Sequence, residues 1–562
     1  MFIKKALSLL LAAVLALSFS GCRNRNDEEE NLVPEVTEQD ELVIYHKNTE
    51  LAPMLMTLTE EYSKATGKKV SAKLAGNDFL GEMKSQNGAI YIVDTHSDLS
   101  GWHSEGLFSD FLNDTGLSSL TSKIPAGLQL NANGIGSYGI PLMLEGYGYI
   151  FDKDMLSAIF GEENSEKLAN DLRTCSFTEF EDLVSAVDTW ISAPSAAEIT
   201  INGNKYTFAE EKTGKAQNLT GVFSLNIEST RAMEHLLSAA LAAKFASRYE
   251  VMTAGEEAIS KMEEIFAAYA EVLDFQTSHI AGAEGSIGRG EEFAGGDYNY
   301  STSIDLFTRG NALFYPGGTS DAADFETSAA GSGKNLDIIP MKLPLSEEKI
   351  TAAGMTAEKL QSSIVIGSRY YLAINPKAEE KLAGEARDFV NWLYNEEAGK
   401  TAYSSAFGGV PFNFEYLMTG ETGEQNPSSE PENSGDMTES GTVSPENSAP
   451  SGIEENSRTA PENSSGTESM PEENPEMVGP MNPSHKISGT LMEAVAEYYQ
   501  SGNWIPDLSF ALPADFSKNI LGESLSGYWG KESWSESDHK DFIDIIIGGW
   551  KNLIDKNNTA VG

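Results

Sequence analysis

Between residues 42 and 93 the chain alternates strand-like and helix-like runs with short connections, and this alternation limits the fold more than any other feature. Leu42-Val43-Ile44-Tyr45 reads as a strand. Residues 51–65 carry Leu51, Leu55, Leu58 and Tyr62 at helical spacing and stop at Gly67. Residues 70–74 predict a second strand, residues 79–86 a helix, and Ile90-Tyr91-Ile92-Val93 a third strand. Strand, helix, strand, helix, strand is the order of a parallel α/β sheet. Ligands of such sheets sit at the carboxyl ends of the strands. Here those ends are His46-Lys47-Asn48 and Asp94-Thr95-His96.

Beyond residue 148 the helical spacing recurs at 178–191, 232–247 and 256–273, with strands at 312–315 and 371–374. Residues 199–208 predict a polar hairpin turning at Asn202-Gly203. From 420 to 483 the chain is Pro, Glu, Asn, Ser and Gly, with Pro-Glu-Asn-Ser beginning at Pro431, Pro445 and Pro461. Such a composition buries no core and predicts disorder. Folded patterning resumes with a helix at 487–499, then Trp504-Ile505-Pro506, and ends with an amphipathic helix over 538–556 carrying Phe542, Ile546 and Trp550. Structure on both sides makes the acidic tract an insertion.

The first residues set the compartment. Lys4 and Lys5 precede an apolar run at 6–19, the size of a signal-peptide core and shorter than the roughly 20 residues that span a membrane. Ser20-Gly21-Cys22 follows, which resembles a lipoprotein cleavage site with Phe19 where Leu is usual. The reading is a signal peptide at 1–21, a diacylglycerol anchor on Cys22 that holds the protein to the membrane, and an acidic tether at 22–41. The rival reading is an ordinary secretory signal with an incidental cysteine. Cys175 is then the one other cysteine, so an exported chain must be stable without a disulfide, which its 562 residues allow. The net charge of −46, from 85 acidic and 39 basic residues, argues against a nucleic-acid partner.

Catalytic and cofactor motifs are missing. Gly134, Gly136 and Gly139 match the dinucleotide-binding glycine spacing, yet no strand precedes them and Ile140-Pro141 cannot open the helix that would hold a pyrophosphate, so a turn before a strand is expected. There is no zinc-protease motif, no Cys-x-x-Cys and no phosphate loop; the seven histidines are scattered. We expect no catalytic residue, no cofactor and no metal. A carboxylate pair for glycoside hydrolysis stays open as an alternative, because no spacing singles one out.

One segment is more specific. Residues 138–156 hold Tyr138-Gly139, Pro141, Glu145-Gly146-Tyr147 and Phe151-Asp152-Lys153-Asp154. Together with Trp102 and Glu105-Gly106-Leu107, with Gly310 and Ala312 before Gly317-Gly318-Thr319, with Tyr370 to Pro376 and Phe389 to Leu393, and with Gly409-Val410-Pro411, this order resembles the family 1 extracellular solute-binding proteins of ABC importers, the maltose-binding-protein-like group. Phe151-Asp152 stands where Tyr-Asn is usual, and Thr319 or Ser320 lies near a usual tryptophan.

The resemblance implies a two-lobed α/β fold of the class II periplasmic-binding-protein type, each lobe a sheet flanked by helices. Residues 40–145 plus 368–420 would form one lobe and 148–366 plus 487–556 the other, with crossings near 145–148, 366–370 and the 420–483 insertion. It implies a monomer that captures a carbohydrate between its lobes and passes it to an ABC permease. Sugars offer hydroxyls to carboxylates and amides and a C–H face to aromatic rings. Glu145 and Tyr147, at the matched motif, are the first candidates for ligand contact. Trp102, Tyr370 and Trp504 are candidates for stacking, and Asn48, Asp94, Thr95 and Thr319 for hydrogen bonding. Peptides or polyamines remain as other ligands, and a sensor kinase as another partner.

Overall fold

The computed structural model describes residues 41–76, 79, 81, 88–94, 106–131, 136–228, 230–295, 297–328, 334–407, 410–413, 486–513 and 516–560. The leader, Cys22, the 420–483 tract, Thr95 and Trp102 lie outside the described residues.

Strand β1 (Leu42–His46) has β2 (Val70–Leu74) on one side and β3 (Ile90–Asp94) on the other, both parallel to it. Helix α1 (Ala52–Thr66) joins β1 to β2. It buries Leu55, Leu58 and Tyr62, spaced to share one face, and starts with Pro in its first turn. It ends at Gly67, whose φ of 71° is a left-handed conformation that costs glycine little.

Strand β4 (Ile140–Pro141) belongs to this first sheet, but β5 (Glu145–Asp152) opens a second. Next come the hairpin β6 (Glu198–Ile201) and β7 (Asn204–Thr207), then β8 (Gly221–Phe223), β9 (Ile280–Ala281), β10 (Ser286–Ile287), β11 (Ala312–Gly318), β12 (Leu336–Ile339) and β13 (Ile364–Gly367). Strand β14 (Tyr370–Ile374) returns to the first sheet and β15 (Trp504–Pro506) to the second. The first sheet has the order β2-β1-β3-β14-β4; the second has β10-β9-β8-β11-β5-β13-β15, with β12 also on β5. The hairpin turns at Asn202 and Gly203 with φ of 50° and 75°, the positive values that the Asn-Gly pair supplies.

Strand direction fixes where the lobes meet. In the first sheet β14 runs antiparallel to β3 with Tyr370 opposite Asp94, so the ends of β1 and β3 and the start of β14 share an edge. In the second, β11 and β13 run antiparallel to β5, with Gly318 opposite Tyr147 and Gly367 opposite Glu145. The ends of β8, β11, β13 and β15 therefore share an edge with the start of β5. The chain crosses between these two edges at residues 142–144 and 368–369, spans too short to separate them far. Val410 bridges Leu144 beside the first crossing. Helix α2 (Lys486–Ser501) then packs Val495 against Gly146, where a Cβ would lie 2.3 Å from Val495 Cγ2.

The second lobe is built around rings. Tyr149, Phe180, Phe223, Phe275 and Phe314 cluster on one face of its sheet, with Tyr149 and Phe180 stacked at 5.1 Å. The helix expected over 256–273 is two helices, Glu256–Ser260 and Glu263–Thr277. The break at Lys261 and Met262 lets Ile259 and Met262 both reach the core, where each is fully buried.

Candidate ligand cleft

The first-sheet edge carries paired charges. Lys47, after β1, lies 3.1 Å from Asp94 at the end of β3. Glu50 follows in the same turn. Its carboxylate accepts a hydrogen bond from the Tyr370 hydroxyl and pairs with Arg369 at 3.0 Å. The Arg369 guanidinium lies 5.1 Å from the centre of the Tyr370 ring. Burial, helped by the Glu50 bond, holds the Tyr370 phenol far above the usual tyrosine range. The backbone carbonyl of Asn48 accepts from Leu51 N at 3.2 Å and meets His46 Nδ1 at 2.9 Å, which shapes this turn.

The second-sheet edge is deeper. Glu145 and Tyr147 point to the same side of β5, as alternate residues must. The Tyr147 hydroxyl donates to the Glu145 carboxylate, and both residues are buried, at 3% and 1% exposure. The Tyr147 ring stacks on His235 with centroids 3.5 Å apart. His235 Nδ1 lies 3.7 Å from Asp507 Oδ2, and Asp507 Oδ1 accepts from Ser238 Oγ at 2.6 Å and from Ser509 N at 3.1 Å. Thr319 Oγ1 accepts from Gly146 N at 3.2 Å, tying the end of β11 to the start of β5.

Toward solvent this edge is acidic. Asp321, just past β11, accepts from Gly318 N at 2.9 Å through Oδ2. The Tyr300 hydroxyl sits 2.9 Å from Asp321 Oδ1 and 2.6 Å from Asp324 Oδ2, two acceptors for one proton. Glu228, which follows β8, accepts from Tyr300 N at 3.0 Å. Tyr300 is 36% exposed, a large ring open to solvent on this edge.

Of the residues singled out by sequence, Asn48, Asp94 and Tyr370 come together on one edge, and Glu145, Tyr147 and Thr319 on the other. Trp504 is elsewhere. It opens β15 at the end remote from the edge and stacks on Tyr499 at 5.4 Å. Sequence reasoning passed over Glu50, Arg369, Tyr300, Asp321, His235 and Asp507. Asp321 was within reach, two residues beyond Thr319, which already marked a strand end. His235 and Asp507 had no comparable signal, since neither stands in a recognisable motif. Gly136 has φ of 77° and is followed by β4, a turn before a strand as expected.

Two open concavities lie away from these edges. One, of about 780 Å³, is lined by Glu264, His539 and Lys540; the other, of about 600 Å³, by Asn218, Thr220 and Asn311. Several of their polar groups pair within the fold, as Asn311 Nδ2 to Asn218 O at 3.1 Å and Lys540 to Asp544 at 2.6 Å. The second also sits at the starting ends of β8 and β11, opposite the strand ends where α/β sheets bind ligands. Among the described residues no group of three or more His, Cys, Asp or Glu is placed to hold a metal ion.

The family model of the bacterial extracellular solute-binding proteins matches residues 57–428, more than half of the chain, and the protein belongs to that family. No curated protein matches it in sequence. Among solved structures it is similar to apo RafE from Streptococcus pneumoniae, with a TM-score of 0.52 and 14% identity over 91% of this chain and 97% of that one. It is also similar to AcbH, a bacterial solute receptor with an exclusive preference for β-D-galactopyranose, with a TM-score of 0.52 and 10% identity over 91% of this chain and 99% of AcbH. At these identities the likeness is one of fold: two α/β lobes, each a sheet flanked by helices.

Proposed function

We propose that this chain is the sugar receptor of an ABC importer, capturing a mono- or oligosaccharide between its lobes and releasing it unchanged to a permease. The observation that carries the reading is the pair of facing sheet edges, which offer hydrogen-bonding side chains from both sides and an exposed Tyr300 ring. Lys47 and Arg369 are each matched by a carboxylate, an arrangement suited to a neutral, hydroxyl-rich ligand. AcbH, of the same fold, takes a hexose. Residues 40–145 plus 368–420 act as one lobe and 148–366 plus 487–556 as the other, with Glu145 at the seam. The protein works as a monomer, tethered outside the cell by a lipid on Cys22.

The acidic rim of Glu228, Asp321 and Asp324 favours a second reading, a polyamine receptor. Thermal unfolding against neutral sugars and polyamines separates the two. A ligand at a hundredfold excess over its Kd stabilises the fold by about 2.7 kcal/mol. The expected result is a raised midpoint with one class of neutral sugar, loss of that rise in Tyr300→Ala, and recovery of the sugar intact. A rise with polyamines alone replaces the ligand; consumption of the sugar makes the protein an enzyme and defeats the proposal.

A further inference from the structure

Arg248 links the two lobes. It begins the short helix Arg248–Met252, on the second lobe. Its Nη1 donates to the hydroxyl of Tyr371, on β14 of the first lobe, at 2.9 Å. Its guanidinium also lies 5.9 Å from the centre of that ring. The arginine is held on its own side, since Nε donates to the Asp507 carbonyl at 2.9 Å. Asp507 is fully buried and fixed by Ser238 and Ser509. The anchor is therefore rigid and the far end rests on a single acceptor. Nη2 finds no hydrogen-bond partner among the described residues, so the contact is not so fully matched that it could not be given up.

The anchor also touches the ligand motif. Glu145 bonds Tyr147, Tyr147 stacks on His235, His235 faces Asp507, and Asp507 holds Arg248. A contiguous set of packed polar groups thus runs from the motif at the cleft to the contact between lobes. Such a set can bias a two-state equilibrium when one of its contacts exists in only one state.

We propose that Arg248 is a tie between the lobes that sets how closed the cleft stays before ligand arrives, with Tyr371 as its acceptor. The proposal rests on the reading of the protein as a two-lobed trap, and its test uses no ligand. Tyr371 is fully buried, and Tyr371→Phe keeps the ring while deleting the acceptor oxygen. Exposed Glu60 on the first lobe and Glu284 on the second serve as dye sites, as Glu60→Cys and Glu284→Cys. Cys22→Ser removes the other reactive thiol, and Cys175 is fully buried.

Single-molecule energy transfer on the ligand-free protein then reads the distance between lobes. Losing a hydrogen bond to a charged donor is expected to raise the open-to-closed ratio about tenfold or more in Tyr371→Phe and in Arg248→Met. The double variant should go no further than the larger single effect, because both changes remove the same hydrogen bond between the lobes. A Tyr371→Phe distribution identical to that of the parent overturns the tie, as do independent, additive effects of the two changes. If the distances shift as expected but no sugar stabilises the protein, the tie stands and the sugar reading falls.

Discussion

Lys342 gives the sharpest test of how the second lobe is held. It follows β12 and is fully buried. Its Nζ donates to the carbonyls of Arg173 at 3.1 Å and Gln361 at 2.5 Å. Burial pushes its amine down from 10.5 to about 8, against a smaller upward pull from Cys175 and Glu179. The neutral amine still has two hydrogens for the two carbonyls, so deprotonation removes the cost of burying charge without breaking either bond. In the folded protein the proton leaves near pH 8; in the unfolded chain it leaves near 10.5. Between those values the unfolded state binds more protons, so this group makes stability rise with pH. The gap of about 2.5 pH units, at roughly 1.4 kcal/mol each, gives about 3–4 kcal/mol in all, of which about 3 falls between pH 7 and 10.5. Urea unfolding at steps from pH 7 to 10.5, on the parent and on Lys342→Met, isolates the effect. Groups shared by the two proteins cancel in the difference to first order, apart from the Cys175 thiol, which burial raises and the Lys342 charge pulls down. The parent should gain about 3 kcal/mol on the variant across the window. A difference that stays flat would mean that the amine is solvated or already neutral, and the reasoning fails.

Two further expectations follow from packing. A methyl on Gly318 would lie 2.3 Å from Tyr147 Cδ1 and 3.1 Å from the Gly146 carbonyl, so Gly318→Ala should cost about 1–3 kcal/mol in thermal unfolding and abolish the sugar-induced rise by pushing Tyr147 off His235. Glu179 accepts from Ser176 N at 2.9 Å in a capping box and from Asn202 N at 2.8 Å in the hairpin turn, so Glu179→Ala should lower stability by about 1–2 kcal/mol in urea unfolding, with a change below a few tenths counting against it.

The elements that bury a face were legible because their period says so. Leu51, Leu55, Leu58 and Tyr62 announced α1, and all four are buried. The alternation of short runs through residue 93 announced a parallel sheet, and β1, β2 and β3 form one. Sheet order was not legible. Nothing local in 312–318 says that β11 lies between β8 and β5, because pairing between distant strands leaves no periodic mark. The break at Lys261 and Met262 was hidden for a related reason: Ile259, Met262, Ile265 and Phe266 keep helical spacing across it, and only the fit to the rest of the core requires the bend.

The site divides along the same line. The segment around Glu145 carries a recognisable pattern because packing constrains it from several directions. A Cβ on Gly148 would lie 2.2 Å from the Ile339 carbonyl, one on Gly146 would meet Val495, and Tyr147 fills the space that Gly318 leaves open. Such a segment can change little without breaking the sheet, so it is readable. That same packing leaves Glu145 and Tyr147 almost no surface in this conformation. Glu50 and Tyr300 are the reverse. Glu50 stands in the turn past β1 and Tyr300 opens the helix Tyr300–Thr308; both project toward solvent rather than into the core, so no apolar spacing announces them. A first encounter with a solute would fall on these exposed groups, and the buried motif would respond through the contacts that join it to His235, Asp507 and Arg248. On the proposed reading, the readable residues belong to the hinge between the lobes and the unreadable ones to the surface that meets the sugar.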